Sequence, residues 1–356
     1  MKRLASGRRL AMAFPLFLWF VGLLPSLFAQ PAVAADSLHL HLEQAAGLLR
    51  QGDLKAAEEA ARKAIHQHPS SPEAHHLLGQ VLFSARKPGE ALEAFAYAVK
   101  LKPSYAEALN RLAAIYVIQG KAEQAEQALL RAIEADAKHV GSYLDLAKLY
   151  EQRRDVVSAK KLYQDLLSVL PGQQEALFEL ATLYDTQGEA KAARDTLRRL
   201  TKANPRHANA WYLNGRIAEK NNDLVEAAYA YKQAIAAKPD LVDAHYNLGF
   251  IYRSQNKPNE AEREFIEVLR YRPEYAEAHL NLGVIYTSLG KLDDAEHEYE
   301  EAVRLKPEYA EAHYNLGVFY ELHRKDMGRA LAQYRKYREL GGRDDRVERI
   351  VGSTFR

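Results

Sequence analysis

The chain of 356 residues contains no cysteine, which excludes disulfide bonds, a thiolate nucleophile and a lipidated N-terminal cysteine. It also has no Gly-x-Ser-x-Gly elbow, no glycine-rich phosphate loop and no His-Glu-x-x-His pair. Its 19 glycines and 13 prolines are too few and too regularly spaced for a disordered chain. We therefore expect a folded protein that is not an enzyme and that needs no cofactor and no metal.

Neither sign of charge dominates, since 49 lysines and arginines face 47 aspartates and glutamates. Nucleic-acid binding depends on neutralising many phosphates with basic residues. A near-neutral chain gives no reason to expect a nucleic-acid partner.

Long apolar runs are missing except near the N-terminus, where residues 11–28 are almost wholly apolar. Four basic residues precede this run, and small residues around Ala34 and Ala35 follow it. This order predicts a signal peptide over residues 1–35, cleaved after either alanine, with an uncleaved membrane anchor as the alternative. Cleavage would leave 45 basic and 47 acidic residues, a net charge of −2. We expect an exported protein that is periplasmic, or anchored in the inner membrane and facing the periplasm.

What the chain does contain is one spacing that organises almost all of it. Alanine recurs every 34 residues, at 57, 91, 125, 159, 193, 227, 261 and 295. Prolines keep the same step, at 69, 103, 171, 205, 239, 273 and 307. A fixed period of this length indicates a stacked array of repeats, each of which contacts its neighbours.

Residues 276–309 show the content of one repeat. Leu282, Gly283 and Tyr286 recur at helical spacing, and Gly290 is suited to end that first helix. A second apolar stripe includes Ala295 and precedes a proline, which cannot continue a helix interior. Each repeat is therefore predicted to be a helix–turn–helix hairpin.

This pattern resembles the tetratricopeptide repeat family. The residues that carry the resemblance in this repeat are His279, Leu282, Gly283, Tyr286, Gly290, Ala295, Tyr299, Ala302 and Pro307. The resemblance implies an all-α, right-handed superhelical solenoid of about nine repeats with a short C-terminal capping helix. Repeat six departs from the pattern at Asn214 and Ala218, and repeat nine contains one extra residue.

The predicted domain organisation follows the 34-residue period. After the signal peptide, the nine repeats span residues 38–342, and residues 343–356 form the capping helix and tail. The repeats are 38–71, 72–105, 106–139, 140–173, 174–207, 208–241, 242–275, 276–309 and 310–342.

In the family, the first helix of each repeat lines a concave groove that binds proteins or extended peptides. Asparagine recurs in that helix at Asn247, Asn281 and Asn315. Because a carboxamide offers both a donor and an acceptor, this ladder is suited to hold a peptide backbone. It is similar to the asparagine ladder of O-linked N-acetylglucosamine transferases, although no transferase domain follows; the alternative is that asparagine is ordinary repeat sequence. The neighbouring side chains predicted to shape the binding groove are Tyr246, Phe250, Arg253, Tyr314 and Val318.

Other sites have weaker support. Asn110, Arg111 and Lys148 only partly match the carboxylate clamp of chaperone-binding family members. Histidines 66, 68, 75 and 76 cluster across the first turn between repeats without a set of ligands for zinc. The basic stretch 321–356 could meet anionic lipid, so membrane contact is expected only there or through an uncleaved leader.

The sequence thus predicts a non-catalytic scaffold for protein binding, in envelope assembly, a pilus, secretion or polysaccharide export. An accessory subunit that presents substrates to a separately encoded enzyme is the alternative. Binding of metal or anionic lipid is a weaker one.

Overall fold

The computed structural model describes the backbone of residues 30–353 and the side chains of residues 37–352. Within this part, all regular secondary structure is helical, with nineteen α-helices and one short π-helix. The all-α fold of helix–turn–helix repeats is therefore confirmed. Most of the predicted signal peptide, residues 1–29, lies outside the described residues, and residues 30–35 begin the first helix. No helix among the described residues is both long enough and apolar enough to cross a membrane.

The chain divides into two compact units, of which the first is Met1–Gln119. Its described helices are α1 Gln30–Gln51, α2 Leu54–Gln67, α3 Pro72–Ser84, α4 Pro88–Leu101 and α5 Ala106–Ile118.

The second compact unit, Gly120–Arg356, contains the remaining helices. Those from repeats three to six are α6 Ala122–Ala135, α7 Val140–Gln152, α8 Val156–Val169, α9 Gln174–Thr186, α10 Ala190–Ala203, α11 Ala208–Lys220 and α12 Leu224–Ala237. Those that follow are α13 Val242–Ser254, α14 Pro258–Tyr271, α15 Ala276–Ser288, α16 Leu292–Leu305, α17 Ala310–Phe319, the π-helix Tyr320–Arg324, α18 Met327–Glu339 and α19 Asp345–Ser353.

Each first helix ends at a residue whose backbone is left-handed, which stops the helical hydrogen-bond pattern. The predicted helix end at Gly290 is confirmed by its φ of +74°. Arg86, Arg154, Asn222 and Asn256 adopt the same conformation without being glycine, with φ between 57° and 61°. The left-handed conformation therefore occurs at the same position of each repeat whether or not the residue there is glycine.

The small residue of a first helix faces a large ring on the second helix of its own repeat. A Cβ atom added to Gly283 would lie 2.6 Å from the ring of Tyr299. The same close approach occurs at Gly79, Gly215 and Gly317, opposite Phe95, Tyr231 and Tyr334. At these four places only hydrogen leaves room for the ring at this distance, whereas repeat four has Ala147 and Tyr163 at the corresponding positions.

Several of these buried tyrosines also use their hydroxyl groups. Tyr163 donates to Glu151 at 2.8 Å, and Tyr231 donates to Glu219 at 2.6 Å. In both cases the acceptor lies on the first helix of the same repeat, so the ring and its hydroxyl fasten the two helices together.

Repeat nine accommodates its extra residue in the π-helix, whose wider turn holds one residue more than an α-helical turn. Gly317 still faces Tyr334. Helix α19 then covers this repeat with Val347 and Val351, both fully buried. It lies in the stretch predicted to form the capping helix.

Candidate binding site

The eight candidate groove residues lie on three first helices of the second compact unit. Tyr246, Asn247, Phe250 and Arg253 are on α13, and the others are on α15 and α17. Because four residues make about one helical turn, Tyr246, Phe250 and Arg253 share one face of α13.

Asn281 is buried and fully bonded within the protein. Only 4% of it is exposed, and its carbonyl oxygen accepts a hydrogen bond from the Arg253 guanidinium. Its amide nitrogen donates to the backbone oxygen of Glu277 at 2.7 Å and to the Tyr246 hydroxyl at 3.5 Å. In this conformation the Asn281 carboxamide has neither end free for a peptide.

Arg253 and Phe250 form the accessible part of this cluster. The Arg253 guanidinium lies 4.9 Å from the centre of the Phe250 ring, a cation–π contact. Phe250 is 41% exposed, which is unusual for so large an apolar side chain. The structure therefore brings together four of the eight candidates, Tyr246, Phe250, Arg253 and Asn281, which we call the Phe250 patch.

The other two asparagines have different surroundings. Asn247 donates to the Tyr231 hydroxyl at 3.2 Å, and Tyr231 in turn donates to Glu219. Asn315 donates to the backbone oxygen of Glu311, one turn earlier in its own helix. The three asparagines keep their sequence spacing but do not form three equivalent sites.

Tyr314 and Val318 belong to the last repeat. The Tyr314 ring lies 5.2 Å from the ring of Tyr337, and Val318 packs against the core cluster beneath α19. Both residues support the terminal repeat.

Sequence reasoning missed the tyrosines that border the Phe250 patch. Tyr275 lies 5.3 Å from Tyr246, ring centre to ring centre, and burial raises the pKa of both phenols. Tyr309 is also buried enough for its pKa to be raised, and Lys306 lies 4.8 Å above its ring while pairing with Glu277 at 2.8 Å. Their place immediately before a first helix, repeated after 34 residues, was the available signal.

His245, His279 and His313 are buried, and each has both ring nitrogens bonded. Their Nε2 atoms lie 2.9–3.0 Å from the backbone oxygens of Pro239, Pro273 and Pro307. Their Nδ1 atoms lie 2.6–2.7 Å from Glu264, Glu298 and Gln333. Burial disfavours the charged imidazole, but the bonds to glutamate and backbone outweigh it and raise the pKa of His245 and His279.

The histidines near the first turn have separate partners. His68 bonds Ser37 at 3.0 Å, and His75 lies 3.0 Å from the backbone oxygen of Pro69. His76 is buried between the rings of Phe95 and Tyr105. Among the residues described, no three His, Asp or Glu side chains are placed to hold a metal ion.

The weaker candidates are also engaged within the fold. Lys148 lies 3.7 Å from Glu175, and Asn110 is buried. Arginines of the basic C-terminal stretch pair with acids of the same unit, as Arg324 does with Glu296 at 2.6 Å and Arg346 with Glu321 at 3.0 Å. These pairs reduce the positive charge available to a lipid surface.

The successive helical hairpins, with a small residue on the first helix and a larger one opposite it on the second, define an all-α repeat protein. The chain belongs to the tetratricopeptide repeat family, which it matches over residues 42–105, 77–140, 144–200, 179–242 and 246–296. A further match to the same kind of repeat covers residues 283–323. Such repeats typically mediate protein–protein interactions and are generally not catalytic. No curated protein matches the chain.

Solved structures with similar folds are repeat proteins. The C-terminal part of a TPR repeat-containing protein from Cytophaga hutchinsonii aligns with a TM-score of 0.58 and 15% identity, covering 68% of this chain and 99% of that one. Pseudomonas aeruginosa pilF aligns with a TM-score of 0.50 and 24% identity, covering 58% of this chain and 94% of pilF. YrrB, described as a TPR protein with an unusual peptide-binding site, aligns with a TM-score of 0.48 and 19% identity. The alignment covers 55% of this chain and 98% of YrrB. At these identities the likeness concerns the fold alone.

Proposed function

We propose that the protein is an exported, non-catalytic scaffold that binds an extended segment of a partner protein at the Phe250 patch. The observation that carries this proposal is an exposed aromatic ring held under a fixed guanidinium, Phe250 under Arg253. Exposed aromatic and arginine side chains that are already ordered lose little conformational freedom on binding, and they dominate the energetics of many interfaces.

In this proposal Asn281 positions Arg253 and does not itself grip the partner. Arg253 has five N–H donors, and its bond to the Asn281 carbonyl fixes the plane of the guanidinium. Its other donors can then meet a backbone carbonyl or a carboxylate of the partner, while Phe250 packs against an apolar side chain.

Site-specific photocrosslinking in the native host tests the position of the patch. A photoreactive phenylalanine analogue replaces Phe250, and a matched control carries it at Val157, an apolar residue of α8 that is 79% exposed. We expect one or a few discrete crosslinked partners from position 250 and none of them from position 157. The same pattern from both positions would show that the patch is not a specific site.

Variants then measure the energetics with the identified partner. Phe250→Ala and Arg253→Gln should each weaken binding by about 2 kcal/mol, the size of a typical interface hot spot. Asn281→Ala should weaken it less, and Asn247→Ala should leave it unchanged because Asn247 bonds to Tyr231. A loss of affinity in Asn247→Ala equal to that in Phe250→Ala would instead support the asparagine ladder.

The export part of this proposal rests on the predicted leader over residues 1–35. We propose that the protein acts in the bacterial envelope, either in the periplasm or anchored in the inner membrane. There it would serve envelope assembly, a pilus, secretion or polysaccharide export. Cell fractionation with N-terminal sequencing tests the location: a mature chain beginning at residue 35 or 36 supports cleavage. A catalytic polypeptide as the crosslinked partner would favour the accessory-subunit alternative.

A further inference from the structure

Repeat six differs from its neighbours at a buried position of its first helix. The place of Asn214 is leucine in seven other repeats, namely Leu78, Leu112, Leu146, Leu180, Leu248, Leu282 and Leu316. Asn214 is only 8% exposed. Burying a carboxamide at a place where other repeats bury leucine lowers the stability of the fold unless the carboxamide is hydrogen-bonded.

A second polar replacement occurs beside the first. Thr201, in the last turn of α10, occupies a place that is aliphatic in seven other repeats, at Ile65, Val99, Ile133, Leu167, Ile235, Leu269 and Val303. It is 6% exposed. Two aliphatic positions from adjacent repeats have thus become polar at a single junction.

These two residues line one cavity of about 190 Å³ within the second compact unit. Arg198 of α10 lies at its rim, and Trp211 of α11 and Tyr229 of α12 form aromatic walls. The two rings meet edge to face with centres 5.8 Å apart, and the Trp211 indole donates to the backbone oxygen of Pro205 at 2.9 Å. The walls are therefore fixed. The volume is below the roughly 300–1,000 Å³ of pockets for drug-sized ligands, so it suits a single ring with short substituents.

The cavity has a free acceptor and a free donor. The Asn214 amide nitrogen donates to Glu226 at 3.0 Å, and its carbonyl oxygen accepts no hydrogen bond from the part of the chain that the structure describes. Arg198 contacts Asp195 at 2.9 Å and is otherwise 73% exposed, which leaves guanidinium donors available. Glu226 is balanced by Arg194, whose guanidinium lies 3.9 Å away and also 3.5 Å from Asp223.

The charges at this junction are opposite to those at two other junctions between repeats, while single cations occupy the same places at Arg62, Lys160 and Lys232. Tyr150 donates to Glu126 of the preceding second helix at 2.8 Å, and Tyr320 donates to Glu300 in the same way at 2.7 Å. In repeat six the tyrosine is replaced by Ala218. The places of the two glutamates are taken by Arg194 and Arg198. A phenol and its acceptor carboxylate have thus been exchanged for a methyl group and two cations.

We propose that this cavity, the Asn214 pocket, binds a small aromatic carboxylate that carries a hydrogen-bond donor on its ring. The ring packs against the fixed pair Trp211 and Tyr229, and the carboxylate meets the guanidinium of Arg198. The ring donor meets the carbonyl oxygen of Asn214. The pocket is separate from the Phe250 patch, and neither proposal depends on the other.

Calorimetric titration of the full chain with 4-hydroxyphenylacetate tests the pocket. We expect saturable binding with a Kd below about 1 mM, within the range that so small a ligand can reach. Phenylacetate lacks the ring donor and should bind several-fold more weakly. 4-Hydroxyphenylacetamide lacks the charge and should bind at least about tenfold more weakly, because a charge-assisted bond to arginine is lost.

The matched variant restores the residues that other repeats contain. Thr201→Ile combined with Asn214→Leu should abolish binding while the melting temperature stays equal or rises, so that loss of binding is not loss of folding. Arg198→Gln should remove the preference for the acid over the amide. Asn247→Ala, outside the pocket, should bind 4-hydroxyphenylacetate as the unmodified chain does.

Three results would each overturn the proposal. They are no saturable binding of either acid, equal affinity for the acid and the amide, and unchanged affinity in the restored variant. Crosslinking at Phe250 is unaffected by any of them, so the failure of one proposal can be distinguished from the failure of the other.

Discussion

Asn281 and Asn315 occupy the same place in successive repeats, yet their carboxamides have different partners. The residue 28 positions earlier decides the difference, because it lies on the preceding first helix. For Asn281 it is Arg253, which bonds the carbonyl oxygen, whereas for Asn315 it is Thr287. The period could predict where the asparagines lie. It could not predict their hydrogen bonds, which depend on side chains that do not repeat.

His279 and His313 likewise occupy the same place in successive repeats but face different side chains, and here the group is titratable. Because the backbone oxygen of Pro273 only accepts, the Nε2 of His279 must donate to it. Its Nδ1 faces Glu298, whose ionised carboxylate also only accepts, so both nitrogens are protonated when both bonds are made. His313 instead faces the side-chain oxygen of Gln333, an uncharged partner in place of a carboxylate.

Replacing Glu298 with glutamine should therefore weaken the pH dependence of stability. A raised pKa for His279 means that its stabilisation is fully present below about pH 6.5 and is lost as the pH rises through the folded value. We expect the free energy of unfolding of the unmodified chain to fall as the pH rises above about 6.5, and to fall less in Glu298→Gln. Urea unfolding at a series of pH values measures both.

Gln333→Glu is the reverse change and the matched control. It should give His313 the environment of His279 and steepen the same pH dependence. Parallel stability profiles for both variants and the unmodified chain would show that these pairs do not carry the effect.

At the scale of helices, the sequence predicted most of the fold. Regular spacing predicts a helix pair in each repeat, and Gly290 marks a helix end that the structure confirms. The π-helix at Tyr320–Arg324 was not predicted, although the extra residue was visible. An extra residue can be placed in a loop or in a widened turn, and local sequence alone does not distinguish these solutions.

Gly283→Ala should destabilise the hairpin of repeat eight. The added methyl group would lie 2.6 Å from the Tyr299 ring, and relief of such overpacking costs about 1–3 kcal/mol. The higher helix propensity of alanine offsets up to about 1 kcal/mol of this. Thermal and urea unfolding of the single variant measure the net loss.

The compensating change tests the cause. Repeat five pairs Ala181 with Leu197 at the same two places, so Gly283→Ala with Tyr299→Leu reproduces a combination that the chain already uses. The double variant should lose less stability than the sum of its two single variants. Simple additivity would mean that the ring is not the obstacle.

At the scale of the molecule, the two compact units contain buried histidines whose pKa values are shifted in opposite directions. In the first unit, burial, with a contribution from Arg111, lowers the pKa of His76 to about 4. In the second unit, the pKa values of His245 and His279 are raised. Stability from the neutral His76 is present above about pH 6.5 and is lost as the pH falls, the reverse of the other two.

Amide hydrogen exchange, measured peptide by peptide along the chain, should show that the stability of the two units changes with pH in opposite directions. Between about pH 7.5 and about pH 5, after correction for the intrinsic rate, α3 should lose about 2 kcal/mol of protection, because His76 takes up a proton in the open state and stays largely neutral in the folded state. Helices α13 and α15 should keep or gain protection. His76→Phe, which matches Phe178 of repeat five, should remove the loss in α3. A uniform change along the chain would contradict the assignment.

The π-helix has a consequence for how the gene can vary. One additional codon in a 34-residue repeat would, in an unbroken α-helix, rotate every later side chain by about 100° around the axis. Here the added residue is absorbed between Tyr320 and Arg324, and Tyr334 returns to its place over Gly317. A single in-frame insertion is thus repaired within two turns. Mutation can lengthen a repeat of this chain by one residue without first having to rebuild the packing that follows.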